Sequence, residues 1–408
     1  MDQIEGPRAA APEETGELHR LITDVFGTSD MPGGQVPDEY PLIFRDKDPE
    51  SRRVICVDGK IVSYVGLHIR NAVFFGCEVK VASVGGVCTH PAYRGRGLAT
   101  ILMNHCESFM QDAGVDLVIV SGERGLYRRL EYELAGSVSV YRIPADTEPD
   151  NGGYTIRDAT EADIGEMVRL YQRLPVRFHR PLEDFQVAVR AIWIDRVIDQ
   201  RHALVAERDG SLQAYLTYTV HDSDNESGAP DPTATVGEPS FPLEEESIGS
   251  VSVGNRIANE FAGGAGAVLA LARAAAGRAG APHFDLSVAG AYRQLLSECA
   301  GHGYPRHVTH QPGTFKLLAP SRFLDAIKPL IIERAGADIA DRLAISITDG
   351  TYLLELDNQH YRIGRNAGLL ELIFEPGLRA EIGPNGRLGE AVSACFPLPM
   401  IWTGLNFV

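Results

Sequence analysis

Apolar positions recur along this chain with two periods, and the alternation between them lays out most of its elements. Leu98, Ile101, Leu102, Cys106 and Phe109 follow i, i+3, i+4 spacing, which predicts a helix opening at Gly97 and closed at Gly114. A long strand, Val79 to Thr89, precedes it. Val115 to Val120, apolar except for Asp116, follows as a strand suited to burial on both faces of a mixed sheet. Val54 to Ile61 and Leu204 to Leu212 each read as strand, Asp-Gly turn and strand.

Those two hairpins belong to a weak internal repeat. At an offset of 149, Arg8, Ala10, Gly16, Glu17, Arg20 and Leu21 match Arg157, Ala159, Gly165, Glu166, Arg169 and Leu170. Two copies of one strand–helix–hairpin unit are expected. After about residue 315 the pattern changes. Ser321 is expected to cap a helix running to about Ala335, and Leu343 to Thr348, Thr351 to Leu356 and His360 to Ile363 form a meander with an Asp349-Gly350 turn. A helix near Leu388 to Phe396 leads into an apolar tail. Burying Ile401, Trp402, Leu405 and Phe407 contributes several kcal/mol at roughly 25 cal/mol per Å2, so the tail is expected to be docked.

At 408 residues the chain exceeds one ordinary core. Its 44% hydrophobic and 23% charged content points neither to wholesale disorder nor to a membrane protein. The acidic start, Met1-Asp2-Gln3-Ile4-Glu5, has no apolar run behind it, and Arg273 and Arg278 interrupt the small-residue stretch Ala262 to Ala281. Six cysteines without a CxxC pair read as buried thiols of a reducing compartment. A cytoplasmic protein with no structural metal is expected.

The formal charge of −17 is placed unevenly. Residues 1–50 hold twelve acids against four Lys and Arg, and residues 221–246 hold eight acids and no Lys or Arg. Such a surface repels nucleic acid and anionic lipid, so neither nucleic acid nor membrane is an expected partner. The 221–246 run, rich in Gly, Pro, Ser and Thr, reads as a solubilising stretch. The acidic N-terminal fifth suits steering of a small cationic amine.

The strongest chemical signal is Val84-Gly85-Gly86-Val87-Cys88-Thr89-His90-Pro91-Ala92-Tyr93-Arg94-Gly95-Arg96-Gly97-Leu98-Ala99. A strand ends at Thr89, Pro91 forbids its extension, and a glycine-rich turn feeds a helix. The first amides of that helix lack intrahelical acceptors at the positive end of its dipole, so a pyrophosphate fits there. Gly95 and Gly97 let the backbone approach it without Cβ interference, and Arg94 and Arg96 add charge-assisted hydrogen bonds.

This stretch resembles the coenzyme A signature of the GNAT acetyltransferase superfamily. The similarity extends to the enhanced-intracellular-survival (Eis) branch, whose members are tandem acetyltransferase domains followed by a sterol-carrier-protein-like domain. The resemblance implies an α/β (α+β) chain with a catalytic domain at 1–150, a degenerate GNAT-like copy at 151–314 and a sterol-carrier-protein-like domain at 315–408. It implies acetyl-CoA as acetyl donor. Backbone at Val87, Cys88 and Thr89 would pair with the pantetheine arm, and Arg94, Gly95, Arg96, Gly97, Leu98, Ala99 and Thr100 would hold the pyrophosphate. Ser121 is a further cofactor contact.

Gly125-Leu126-Tyr127-Arg128-Arg129-Leu130-Glu131-Tyr132 resembles the superfamily's Leu-Tyr-x-x-x-Gly-Tyr pattern, with Glu131 where glycine is usual. Attack of an amine on the thioester expels a thiolate, and a phenol within reach can protonate it. Tyr127 is the candidate acid, and Tyr132 reads as a packed ring. Eis enzymes use the chain's own C-terminal carboxylate as base, which here falls on Val408. The tail either serves that role or completes the last core, and His90 and Glu123 are rival bases. Ile22-Thr23-Asp24-Val25-Phe26-Gly27 resembles the acceptor-side helix end, so Asp24 is the candidate for binding the amine; Asp30, Asp38 and Glu39 could widen an acidic mouth but read better as solvated surface acids.

The second copy has no such set. Phe261-Ala262-Gly263-Gly264-Ala265-Gly266 stands in place of the phosphate loop without an arginine, and Cys299 stands five residues before Tyr304 as Tyr127 stands before Tyr132. No nearby His or Asp pattern activates Cys299, which reads as a buried thiol. Related proteins form hexamers, and a homo-oligomer is expected. Two rival readings are a non-catalytic CoA-sensing protein and a lipid-binding module with a tunnel in its last domain.

Overall fold

The structure, a computed structural model, describes residues 3–26, 38, 40–44, 49–145, 152–193, 199–221, 256–348, 350–375 and 384–406. Both Asp-Gly steps are tight turns, with Asp58 and Asp209 in the left-handed region at φ 50° and 52°. A turn of that kind matches the twist of the strands it joins. The first links β2 (Arg52–Val57) to β3 (Lys60–Phe74), which with β1 (Ile4–Ala9), β4 (Cys77–Thr89) and β5 (Leu117–Val120) forms one sheet in the order β1-β2-β3-β4-β5. Pairing is antiparallel except between β4 and β5, which run parallel.

The chain continues with β6 (Ser137–Pro144), β7 (Thr155–Asp158), β8 (Val176–Phe178), β9 (Asp199–Arg208), β10 (Ser211–His221), β11 (Arg256–Gly263), β12 (His283–Ala289), β13 (Arg306–His310) and β14 (Thr314–Leu317). The second sheet has the order β13-β6-β12-β11-β10-β9-β7. Two strands cross the expected 1–150, 151–314 and 315–408 divisions. β6 lies inside the second sheet between β13 and β12, while β14 closes the first sheet antiparallel to β5. β8 also reaches back to pair with β3. The exchange makes the two sheets one unit, since neither is complete without chain from the other.

The two segments matched at an offset of 149 carry the same clamp. Arg8 forms a two-pronged pair with Glu14, both contacts 2.7 Å, and 149 residues on Arg157 does the same with Asp163 at 2.8 and 2.7 Å. Each carboxylate also accepts the amide three residues before it, at Ala11 (2.7 Å) and Thr160 (2.8 Å). One carboxylate thus caps the single turn, Pro12–Glu14 or Glu161–Asp163, that leads into each segment's first helix, Thr15–Phe26 or Ile164–Tyr171, and ties it to the preceding strand. Glu14 and Asp163 are not identical, so the identities alone do not reveal them as counterparts.

The Leu98–Asp112 helix covers one face of the first sheet through Leu98, Leu102, Met103, Cys106 and Met110. The last segment covers the other face. Phe323, Ile327, Leu354, Leu369 and Phe374 pack in one cluster with Val79, Val81, Leu117 and Ile119. Its meander is β15 (Ala344–Thr348), β16 (Thr351–Leu356) and β17 (Gln359–Ile363), followed by helices Asn366–Phe374 and Gly386–Cys395. Asp349 lies outside the described residues.

One local expectation is corrected. Ser321 does not cap a single helix to Ala335: Ala319 is the N-cap, Pro320 opens a helix ending at Ala326, and a second helix spans Lys328–Ala335. Proline is well placed in a first turn, where its missing N–H is an orphan anyway. Pro329 could not donate to the Asp325 carbonyl of an unbroken helix, which forces the break.

The tail is docked as far as it is described. Leu398, Met400 and Ile401 are buried in the last core, and the turn Gly404–Asn406 rests on β11. There the Leu405 amide donates to Glu260 Oε2 at 3.1 Å. Val408, the candidate base, and Phe407 lie outside the described residues. Among the described helices none is long and apolar enough to cross a membrane.

Candidate active site

β4 outruns its neighbour. Its parallel pairing with β5 runs from Val81–Leu117 to Val84–Val120, after which only the Ser121 amide reaches back, to the Val84 carbonyl at 3.2 Å. β4 continues to Thr89, bulging at Gly86 and Val87 where the β3–β4 register slips between Tyr64–Cys88 and Gly66–Gly85. A gap therefore opens beside the tip of β4. Val87 faces the cluster of Leu98 and Tyr127, and Cys88 the cluster of Leu21, Ile22 and Tyr64, so the tip separates two buried layers. Thr89 Oγ1 lies 2.9 Å from Ser63 Oγ, which donates to the Cys88 carbonyl at 3.0 Å.

Beyond Thr89 a single turn, Pro91–Tyr93, is capped by His90, whose Nδ1 accepts the Ala92 amide at 3.2 Å. His90 is thus a capping residue. Gly95 and Gly97 both take φ 75°, and a Cβ on either would meet no atom within 4 Å. Glycine is needed there for the left-handed backbone and not to relieve crowding within the protein, and the space in front of the loop is open. Ile101 is the first amide with a helical acceptor, the Gly97 carbonyl at 3.0 Å, which leaves Leu98, Ala99 and Thr100 without intrahelical partners. Arg94 and Arg96 are exposed beside them. Arg94 Nε donates to the Thr89 carbonyl at 3.3 Å, and the Arg96 guanidinium lies 5.5 Å from the Tyr93 ring centre. An open cradle of orphan amides flanked by two cations fits a pyrophosphate.

Tyr127 sits on the short helix Gly125–Arg129, 2% exposed, with its ring edge-on to Tyr132 at 6.4 Å. Burial pushes its phenol up to about 12, against a smaller opposing pull from Arg124. The hydroxyl is therefore a proton donor at neutral pH. Tyr132 is fully buried in the same cluster, as a packed ring.

Several contacts hold this helix, and none was legible in the sequence. Phe315 of β14 exchanges backbone hydrogen bonds with Glu133 (3.0 and 2.7 Å), and Thr314 Oγ1 donates to the Gly122 carbonyl at 3.0 Å. Lys316 Nζ donates to both oxygens of Glu107 (3.0 and 2.9 Å) and to the Leu130 carbonyl at 2.8 Å. Asn366 Nδ2, from the last segment, donates to the Glu131 carbonyl at 2.9 Å. Arg124, which caps the helix, reaches the Val87 carbonyl at 3.3 Å through Nη1. That carbonyl belongs to the backbone stretch that the sequence resemblance matches to the pantetheine arm, so Arg124 stands beside it.

Glu131 has φ 63°, a conformation glycine adopts freely, which gives the physical reason for glycine at this point of the motif. Its side chain is exposed. Glu131→Gly is expected to raise stability by about 0.5–1 kcal/mol, the left-handed penalty of roughly 1–2 kcal/mol less glycine's added chain entropy. The midpoint of urea unfolding checks this, and an unchanged or lower midpoint counts against strain at that turn.

Asp24 is exposed on the last turn of the Thr15–Phe26 helix, whose buried face packs on β3 and β4. Its carboxylate makes no side-chain hydrogen bond or ion pair among the described residues. Asp38 is likewise exposed, and Asp30 and Glu39 lie outside the described residues. Glu123 lies 3.9 Å from Arg128. All six cysteines are buried and none forms a disulfide. Burial raises the Cys88 and Cys299 thiols to about 12 and about 11, which keeps both protonated and unsuited to carrying an acyl group.

A family model described as an acetyltransferase (GNAT) domain matches residues 7–135. No curated protein matches the chain. Among solved structures, the chain is similar to a GCN5-related N-acetyltransferase from Anabaena variabilis, at 14% identity over 98% of this chain and 99% of that one, with a TM-score of 0.60. A GCN5-related N-acetyltransferase from Kribbella flavida gives 16%, 98%, 97% and 0.59 in the same terms. Eis1 from Mycobacterium abscessus gives 14%, 98%, 100% and 0.58. At such identities these likenesses establish a shared fold along the whole chain. With the gap beside β4 and the glycine-rich cradle both inside the matched segment, the chain carries a GNAT-superfamily acetyltransferase domain and is an acyltransferase.

Proposed function

We propose that this acyltransferase moves acetyl from acetyl-CoA directly to a primary amine of a small cationic acceptor, such as a polyamine, an aminoglycoside or a lysine side chain. The observation that carries the proposal is Tyr127, a buried, protonated phenol behind the tip of β4 and beside the open cradle. Transfer forms an N–C bond and breaks a C–S bond, so the sulfur must gain a proton and the nitrogen must lose one. Tyr127 holds the proton destined for sulfur. The backbone at Val87, Cys88 and Thr89 and at Ser121 lines the gap, and residues 94–100 hold the diphosphate. The raised thiols of Cys88 and Cys299 favour direct transfer over a covalent acyl-enzyme.

The charge distribution supports a cationic acceptor, because the first fifty residues carry a net charge of −8 and Asp24 is a carboxylate without a partner in the described chain. The end-to-end likeness to Eis1 supports placing the chain in that branch. Thiol release from acetyl-CoA across polyamines, aminoglycosides, lysine peptides and neutral amines tests the reading. Turnover is expected with the cations, with an acceptor KM rising severalfold between low and 0.5 M salt as screening shortens the reach of the field. Cofactor binding without turnover on any amine would leave a CoA-sensing protein instead.

A further inference from the structure

The second copy has a cavity of its own. We propose that it binds an organic anion, a phosphate or carboxylate carried on an apolar body. The cavity measures about 630 Å3 and lies where β11 gives way to the Ala265–Arg278 helix, the place that the glycine-rich cradle holds in the first copy. The loop there supplies no arginine, which in sequence reads as a lost site. Three arginines line the same space from other elements: Arg173 after the Ile164–Tyr171 helix, Arg293 at the start of the Arg293–Gly301 helix, and Arg334 on Lys328–Ala335.

Arg173 and Arg293 are exposed and make no side-chain hydrogen bond or ion pair among the described residues. Arg334 is anchored, its Nη1 donating to the Cys395 carbonyl at 2.7 Å. Burial, and then the Arg293 charge, push its guanidinium below the usual value. Glu333 is the single carboxylate in the described lining, so the cavity is cationic in a chain of net charge −17. Like charges gathered around a partly enclosed space repel, and an anion between them relieves the repulsion while its oxygens accept guanidinium hydrogen bonds. Phe75, Pro175, Phe261, Val268, Leu295 and Leu330 supply apolar lining. Inorganic phosphate alone would leave that surface wet, and a neutral hydrocarbon would leave the cations unpaired, so the lining favours a ligand with both parts.

Calorimetric titration of the full chain with decyl phosphate, decanol and inorganic phosphate tests the proposal. Decyl phosphate is expected to bind once per chain, at least tenfold more tightly than either of the others. The double variant Arg173→Gln/Arg293→Gln is expected to weaken it at least tenfold while binding acetyl-CoA as before, which also shows that the variant is folded. Decanol binding as tightly as decyl phosphate, inorganic phosphate doing so, or a double variant with unchanged affinity overturns it. This outcome is independent of whether the first copy acetylates an amine.

Discussion

Tyr127→Phe is expected to lower kcat by about two to four orders of magnitude, the usual contribution of a positioned general acid, with acetyl-CoA affinity nearly unchanged. The ring stays buried against Tyr132 and only the hydroxyl is lost, so packing is preserved and the proton is removed. The pH profile separates this role from a structural one. A phenol raised from 10.0 to about 12 remains protonated through the range in which most enzymes are assayed. The chemical step should therefore lose no acid as pH rises from 7 to 10. If the Phe variant turns over like the parent, Tyr127 is not the acid. If it binds acetyl-CoA much more weakly, the hydroxyl acts in binding.

Glu260→Gln is expected to destabilise the protein by about 3–5 kcal/mol, the range for leaving one member of a buried ion pair unmatched. Glu260 and Arg180 face each other at 2.9 and 3.0 Å with side chains 2% and 0% exposed. The Tyr215 hydroxyl donates to Glu260 Oε1 at 2.8 Å and the Leu405 amide to Oε2 at 3.1 Å. One carboxylate on β11 thus neutralises a cation beside β8 and tethers the tail. The Gln variant removes the negative charge that neutralises the buried Arg180 guanidinium. An apolar exchange of both partners, Arg180→Met/Glu260→Leu, removes that penalty and is expected to be much milder. Chemical unfolding of the two variants checks the claim, which fails if the single change costs no more than the double. Limited proteolysis of the tail, faster in both, reports the lost tether.

Much of the first copy was readable residue by residue because its signals are local. Helical spacing from Leu98 to Phe109, the Asp-Gly turns, and the change from strand to glycine-rich turn each depend on neighbours a few residues apart, and the structure places β4, the cradle and the Leu98–Asp112 helix accordingly. The same local reasoning failed at Ser321, where two prolines outweighed a capping side chain. At Gly95 and Gly97 the structure adds a second reason for glycine, a left-handed backbone at φ 75°.

The sequence by itself determined the Asp-Gly hairpins, the long β4 strand, the Leu98–Asp112 helix with its apolar face, the last meander, and the glycine-rich turn flanked by two arginines. Only the tertiary structure decided that β14 completes the first sheet and braces Tyr127, that β6 belongs to the second sheet, that Glu260 joins Arg180 to the tail, and that three distant arginines share one cavity. The physical reason is that an alternating apolar pattern records burial but not partnership. Four residues such as Thr314–Leu317 satisfy the edge of either sheet, and the choice between them is made by packing energy summed over side chains far apart in the chain.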